Sequence, residues 1–433
     1  MVLVTKQKAD KQIPSNLAII VGVLLSSEEL DTLEDDLTEL EALVTTLGLV
    51  PKERIIQRRN RLVPASLLGS GKIDEIKARV LEIGANVVVF DRYLSPPQVR
   101  NLEKSLNCSV MDRTGVILEI FAKNARTNAA KTQVEIAKLE YLLPRLGGAW
   151  THFQRQRGDA TQRGMGEKQI EVDRRRARDR IARLKKQLEQ IDNEKRTQRK
   201  ARRRELKVAI VGYTNSGKTT IMNSLTKAQL LAKDALFATL DASIRTLDPN
   251  TRPKILVSDT VGFIRNLPHS LVASFKSTLD EVLEADLLLH VVDLSHKNYK
   301  AQLQITEDVL KEIGAGEIPV ILVFNKIDKL NEPFLHKILT QAYKGSISIS
   351  AFKEEHIHLL REHIYKFFES NFVRTKVAIP HSDTSVLSIL FQHCLVLDSD
   401  YSGENAAVFD VQATPATLAK LKAYVVQEKP IKD

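Results

Sequence analysis

Cysteine is nearly absent from the sequence. Cys108 and Cys394 are the only two in 433 residues, too few for a disulfide framework, so a reducing interior is the expected setting. Long apolar runs are missing as well. One of the longest, Leu17–Leu25, has nine residues, far short of the roughly 20 that cross a bilayer. Ser26-Ser27-Glu28-Glu29 follow it without a small-residue cleavage pattern, which argues against a signal peptide. No internal repeat is present. A hydrophobic content of 43% and a charged content of 27% exclude wholesale disorder. The expectation is a cytoplasmic protein of two to four domains, without a membrane span and acting as a monomer.

Charge is scarce in a different sense. The formal net charge is +10, and all of it belongs to residues 151–205, where 19 Lys/Arg stand against 9 Asp/Glu. The rest of the chain is balanced. Within that segment Arg174-Arg175-Arg176 and Arg202-Arg203-Arg204 flank Ile181, Leu184, Leu188 and Ile191. Spacings of three and four place those four residues on one stripe of a helix, with bases on the other faces. A solvated helix face is the plain reading. Bases at this density along one element also make a footprint for a polyanion. Aromatics are few here, Trp150 and Phe153 alone, so stacking on single-stranded bases is poorly supported. Phosphate contact on folded nucleic acid fits better.

Strand-like and helix-like patterns alternate over residues 17–125. Leu17–Leu25 reads as a buried strand, and a helix runs from Glu28 to about Thr46 and stops at Gly48. A second helix opens at Gly71-Lys72-Ile73; strand Val87–Phe90, a helix after Pro96-Pro97 and a short strand near Cys108–Met111 follow. That alternation predicts an α/β layer with a parallel sheet. Residues 127–143 and 167–200 read as helices joined by a loop rich in Gly, Arg and Gln, from Pro144 to Gly166. The expected organisation is an N-terminal α/β domain over 1–126, a basic helical hairpin over 127–205, a second α/β domain with a mostly parallel sheet over 206–372, and a small C-terminal α+β domain over 373–433.

The second α/β domain carries the chemistry. A strand pattern, Leu206–Val211, runs into Gly212-Tyr213-Thr214-Asn215-Ser216-Gly217-Lys218-Thr219, with a helix from Thr220. This is G-x-x-x-x-G-K-[ST]: glycines let successive N–H groups face phosphate oxygens at a helix N-terminus. Lys218 is expected to reach the β- and γ-phosphates, and the Thr219 hydroxyl to bind Mg2+. Strand Ile255–Ser258 leads to Asp259-Thr260-Val261-Gly262, where Asp259 would serve the metal through water and the Gly262 N–H would meet the γ-phosphate. Strands Leu287–Val292 and Val320–Phe324 come next. The second leads into Asn325-Lys326-Ile327-Asp328. Asp328 is placed to accept from guanine N1–H and the 2-amino group, donors that adenine lacks. Lys326 would lie over the base, and Asn325 would tie this loop to the first. A backbone N–H of Ser350-Ala351-Phe352, after strand Ser346–Ile349, can reach guanine O6. Ligands of open α/β sheets bind at strand C-termini, where all these motifs fall. The nucleotide is GTP.

Residues 206–369 thus resemble a translation-factor-related GTPase domain with a phosphate-binding loop. Phe237-Ala238-Thr239-Leu240-Asp241 resembles its first switch, with Thr239 implied as a second Mg2+ hydroxyl and, with Lys218 and Gly262, as part of the catalytic set. Asp112-Arg113-Thr114, Ile120-Phe121-Ala122, Gln133-Val134-Glu135, Pro144-Arg145-Leu146 and Arg163-Gly164-Met165-Gly166-Glu167 together resemble the HflX family of ribosome-associated GTPases. The resemblance spans essentially the whole chain. It implies binding to the large ribosomal subunit, a role in splitting or rescuing ribosomes, and approach of the hairpin to ribosomal RNA. Arg155, Arg157, Arg163, Arg174, Arg175 and Arg176 are the candidate RNA contacts.

Phe263 stands where Ras-like enzymes place a water-orienting glutamine. A phenyl ring cannot hydrogen-bond water, so slow unaided hydrolysis is expected, with a partner to stimulate it. A signalling switch acting through protein partners is the alternative, but it needs no basic helix. A helicase motor needs paired lobes or a ring, and the chain has one such loop. His356, His358 and His363 read as surface histidines beside a packing face of Ile357, Leu359, Leu360 and Ile364. Gly69-Ser70-Gly71-Lys72 lacks the motif's first glycine and reads as a helix N-terminus, with a second nucleotide site as the alternative. Both cysteines read as buried thiols.

Overall fold

The computed structural model describes residues 16–146, 163–201, 205–226, 236–237, 239–240, 243–249, 251–265, 276–330, 332, 334–403 and 405–426. The chain divides into two compact units that meet in sequence between Leu188 and Glu189.

The first unit is built on a parallel sheet. Strand β1 (Leu17–Leu25), helix α1 (Leu30–Leu47), β2 (Val50–Arg59), α2 (Ser70–Ile83), β3 (Val87–Phe90), α3 (Pro96–Leu106) and β4 (Ser109–Asp112) give the order β2-β1-β3-β4, every pair parallel. Ile19, Val21 and Val23 of β1 join Ile76, Val88, Phe90 and Leu102 in one core. A strand buried on both sides needs a continuous apolar run, which is why β1 and β3 coincide with the expected spans. Gly48 ends α1 with φ +100°, a left-handed turn that glycine adopts without strain. The Gly69 motif is the start of α2, as read.

Helix α4 (Arg113–Asn124) follows, capped by Asp112, whose Oδ1 accepts the Gly115 N–H at 2.8 Å. Then come α5 (Asn128–Leu142), a 3-10 turn Leu143–Arg145 and the long α6 (Arg163–Ala201). Ile181 and Leu184 of the expected stripe pack on Ile136 of α5, with Leu188 alongside. Arg180 pairs with Glu135 and Lys185 with Glu140, both at 2.8 Å. Arg163–Gly166, expected as loop, form the first turn of α6.

The second unit holds β5 (Leu206–Gly212), α7 (Lys218–Thr226), β6 (Ser243–Thr246), β7 (Ile255–Asp259), α8 (Lys276–Leu283), β8 (Leu287–Asp293), α9 (Tyr299–Glu312), β9 (Val320–Asn325), α10 (Leu335–Ala342), β10 (Ile347–Ser348) and α11 (Glu354–Glu369). Their six-stranded sheet runs β10-β9-β8-β5-β7-β6, parallel except for β6. A smaller antiparallel sheet, β11-β13-β12, combines β11 (Val373–Pro380), β12 (Leu395–Asp400) and β13 (Ala406–Ala413) with α12 (Thr384–His393) and α13 (Pro415–Lys420). Phe409, Val411, Val377 and Leu390 form its core. Cys394 is buried, whereas Cys108 is half-buried rather than fully enclosed. Burial pushes their thiols up, to about 11 and about 12, so neither is a ready nucleophile.

Candidate functional site

The site grows from the central strand of the larger sheet. β5 is flanked by β7 and β8, and its last residue, Gly212, lies in register with Val291. Gly212 has φ +146°, and a Cβ there would come within 2.3 Å of the Val291 carbonyl oxygen. Gly217 has φ +96°, and its Cβ would lie 2.3 Å from Asn325 Nδ2. Only glycine fits either position. The loop between them delivers Lys218 as the first residue of α7.

Lys218 is 5% exposed. Its Nζ donates to the carbonyl oxygens of Gly212 at 3.2 Å and Tyr213 at 2.7 Å. Burial pulls the ammonium down to about 8, against the opposing pull of Asp259. A cation enclosed among neutral carbonyls is incompletely compensated, and an anion placed beside it would restore the charge. The buried hydroxyls of Thr214 and Ser216 also lack hydrogen-bond partners among the described residues. Thr220 lies half-buried on α7.

Three oxygen groups meet next to Lys218. Thr219 Oγ1 donates to Asp259 Oδ2 at 2.7 Å and lies 2.7 Å from Thr239 Oγ1. Asp259 ends β7 fully buried, and its Oδ1 has no hydrogen-bond partner among the described residues. Burial raises this carboxyl above its ordinary range, while Lys218 and the Thr219 hydroxyl act in the other direction. Two hydroxyls and a carboxylate, one of whose buried oxygens is orphaned, are a donor set suited to a hard divalent cation. Thr260 turns its hydroxyl to the Ile210 carbonyl at 2.7 Å. Val261 is buried, as are Phe237 and Leu240. Ala238 and Asp241 lie outside the described residues.

Gly262 runs against the loop: a Cβ would fall 2.8 Å from Thr214 Cα and 2.9 Å from Lys218 Nζ. Phe263 then pairs with the loop backbone, donating its N–H to Gly212 at 3.1 Å and accepting from Thr214 at 2.7 Å. Phe263 is 3% exposed. A hydrogen bond from the Arg265 N–H to the Tyr213 hydroxyl at 2.8 Å adds a second tie.

The base-reading candidates gather at the ends of β9 and β10. Asn325 Nδ2 donates to the Ser216 carbonyl at 2.9 Å, and its Oδ1 accepts the Ala351 N–H at 3.2 Å. Lys326, at φ +63°, donates to the Asn215 carbonyl at 2.8 Å and pairs with Asp293 at 2.7 Å. Asp328, in the short 3-10 turn Ile327–Lys329, is exposed. Ser350 and Ala351 are buried, while Phe352 is 79% exposed.

Asp293, His356 and Ser224 were not singled out for this site by their sequence. Asp293 ends β8, and that position at a strand C-terminus was the available signal. Of the basic candidates, Arg174 is half-buried and Arg175 and Arg176 are exposed on α6. Arg163 opens α6, its side chain outside the described residues, as are Arg155 and Arg157 altogether. Among the described residues no group of three or more His, Cys, Asp and Glu is gathered as a metal cluster, and no helix is long and apolar enough to cross a membrane.

Three family profiles match in succession: "GTP-binding GTPase N-terminal" over residues 34–122, "GTP-binding GTPase Middle Region" over 124–202, and "50S ribosome-binding GTPase" over 207–326. Curated relatives carry the name GTPase HflX. The one from Gluconacetobacter diazotrophicus is 41% identical, covering 94% of this chain and 98% of its own length. That from Magnetococcus marinus is 42% identical, with 95% of each chain covered. The Escherichia coli protein is 46% identical over 69% of this chain and 70% of its own.

Proposed function

The chain belongs to the HflX family of GTPases and hydrolyses GTP; from that premise we propose that it binds the large ribosomal subunit and splits or rescues ribosomes, as a cytoplasmic monomer. The observation that carries this reading is the uncompensated charge on α6. Arg174 and Arg175 make no ion pair among the described residues, and Arg176 has only Asp173 at 3.7 Å. A solvated helix needs no such density of bases, whereas a phosphate backbone does. The name of the profile over residues 207–326 supports the same partner.

In this reading the N–H groups of Tyr213, Thr214, Asn215, Ser216 and Gly217 cradle the phosphates, and Lys218 faces the charge developing on the transferred group. Thr219, Thr239 and Asp259 would hold Mg2+, which when bound neutralises charge on the β- and γ-phosphate oxygens. The Gly262 N–H meets the γ-phosphate. Asp328 takes guanine's N1–H and 2-amino group, Lys326 covers the ring, and the 350–352 segment reads O6. Phe263 offers no side-chain hydrogen bond to water, so basal turnover is slow and the subunit stimulates it.

Pelleting with large ribosomal subunits across a salt series, in the presence of a non-hydrolysable GTP analogue, tests the proposal. Replacing Arg174, Arg175 and Arg176 with Gln should weaken binding and make the log–log salt slope shallower by about two to three, at roughly 0.9 per phosphate contact for duplex DNA. GTP affinity should stay unchanged. Equal slopes for wild type and the triple variant would remove this cluster from the interface. Failure of the wild type to pellet with the subunit would remove the partner.

A further inference from the structure

Three backbone groups of the Ser350–Phe352 segment are held by side chains from three different elements. The Ala351 N–H goes to Asn325 at the end of β9, and the Ala351 carbonyl accepts from Ser224 Oγ of α7 at 3.1 Å. The Ser350 N–H donates to His356 Nδ1, in the first turn of α11, at 2.9 Å. The Ser350 carbonyl takes the Lys353 N–H at 3.0 Å. Among the described residues this leaves the Phe352 N–H without a partner, so of the three amides it is the one left to read a base.

We propose that His356 is a positioning residue for guanine recognition, fixing the 350–352 segment so that its remaining N–H meets the 6-keto oxygen of the base. The inference rests on the reading of this segment as the O6 contact. Ser350 is fully buried, so without the imidazole its N–H would be left unpaired away from water. A buried unpaired amide is costly, and the segment would turn to relieve it. The turn would carry the Phe352 N–H off target. Asn325 and Ser224 act on Ala351 and leave the Ser350 N–H unserved. An accepting Nδ1 leaves the ring proton on Nε2, so the neutral imidazole does this work. The contact matters for base choice because O6 is an acceptor where adenine carries an amino donor.

The test is a set of equilibrium titrations on the full chain with GDP and with the diphosphate of 2-aminopurine riboside, which keeps the 2-amino group but lacks O6 and, with it, the N1–H. Wild type should bind the second nucleotide more weakly by about tenfold for each lost hydrogen bond, one at O6 and one from N1–H to Asp328, so by roughly a hundredfold in all. His356→Ala should lose about tenfold for GDP and nothing for the 2-aminopurine nucleotide. His356→Asn, whose Oδ1 falls near the Nδ1 position, should bind GDP like wild type. His356→Gln, whose acceptor lies farther out, should behave like His356→Ala and keeps the test open if the alanine variant does not fold. Equal weakening of both nucleotides would mean a general loosening of the fold and overturn the proposal, as would GDP binding untouched by Ala and Gln. If wild type bound both nucleotides equally, the O6 reading of the segment itself would fall, and the role of His356 with it.

Discussion

Asp112 and Asp259 make an instructive pair. Each is the last residue of a parallel strand, β4 in the first unit and β7 in the second, and each is fully buried. Asp112 is closed. Its Oδ1 accepts from the Gly115 N–H at 2.8 Å and the Tyr141 hydroxyl at 2.7 Å; its Oδ2 accepts from the Leu94 N–H at 3.1 Å and Arg145 at 3.2 Å. Arg145 in turn lies 3.6 Å from the centre of the Tyr141 ring and donates to the Leu94 and Tyr141 carbonyls, both at 2.7 Å. Asp259 is open, with an oxygen that nothing in the described fold serves. Burial of a carboxylate therefore does not mark a site. A carboxylate oxygen left without a partner beside a buried cation does.

The sharpest way to break this contrast is to neutralise both acids and compare stability without nucleotide or metal. Asp112→Asn should cost about 3–5 kcal/mol, because it leaves the Arg145 guanidinium buried against a neutral amide. Asp259→Asn should cost less than about 1 kcal/mol or stabilise, since its carboxyl is already held above the ordinary range by burial. Denaturant unfolding reads both, and equal losses would erase the distinction. Next in size is Lys218→Ala. It should lower turnover by about 10²–10³-fold with the fold intact, by loss of the charge facing the transition state. Wild-type turnover in that variant would mean that residues 212–219 are not the catalytic loop.

The smallest effect concerns pH. Lys218 in the free protein releases its proton near 8, whereas phosphate oxygens beside it would keep the proton on. Nucleotide affinity should then be flat below pH about 8 and fall by up to tenfold per unit above it. Titrations with GDP from pH about 7 to about 9 check the slope. A flat profile would mean that the ammonium is fully compensated before the nucleotide arrives.

Much of this was legible in the sequence, and the exceptions have physical causes. β1 and β3 are apolar throughout because both their faces are covered. β2 is not legible in the sequence: Lys52, Glu53, Arg54, Gln57, Arg58 and Arg59 crowd it, and its ladder with β1 is a tertiary contact that no local pattern announces. As a sheet-edge strand it keeps charged side chains in water. That Gly212, Gly217, Lys218, Thr219, Asp259 and Asn325 gather at one end of the sheet could be read because their motifs keep fixed spacings and fall at strand C-termini. Asp293 and His356 could not, since each serves a loop from another element. By its sequence His356 reads as one more surface histidine beside a packing face; only the fold brings its Nδ1 to the Ser350 amide.

Gly217 and Asn325 carry a consequence for how such a chain can change over generations. The space between them does not admit one methyl carbon. No codon change at 217 that adds a side chain can act on the phosphate loop alone, because it pushes aside the asparagine that also holds Ala351. Two segments more than a hundred residues apart are thus bound into a single hereditary unit. A chimera that takes its first loop from one parent and its Asn325 loop from another will work only where both parents left that gap empty.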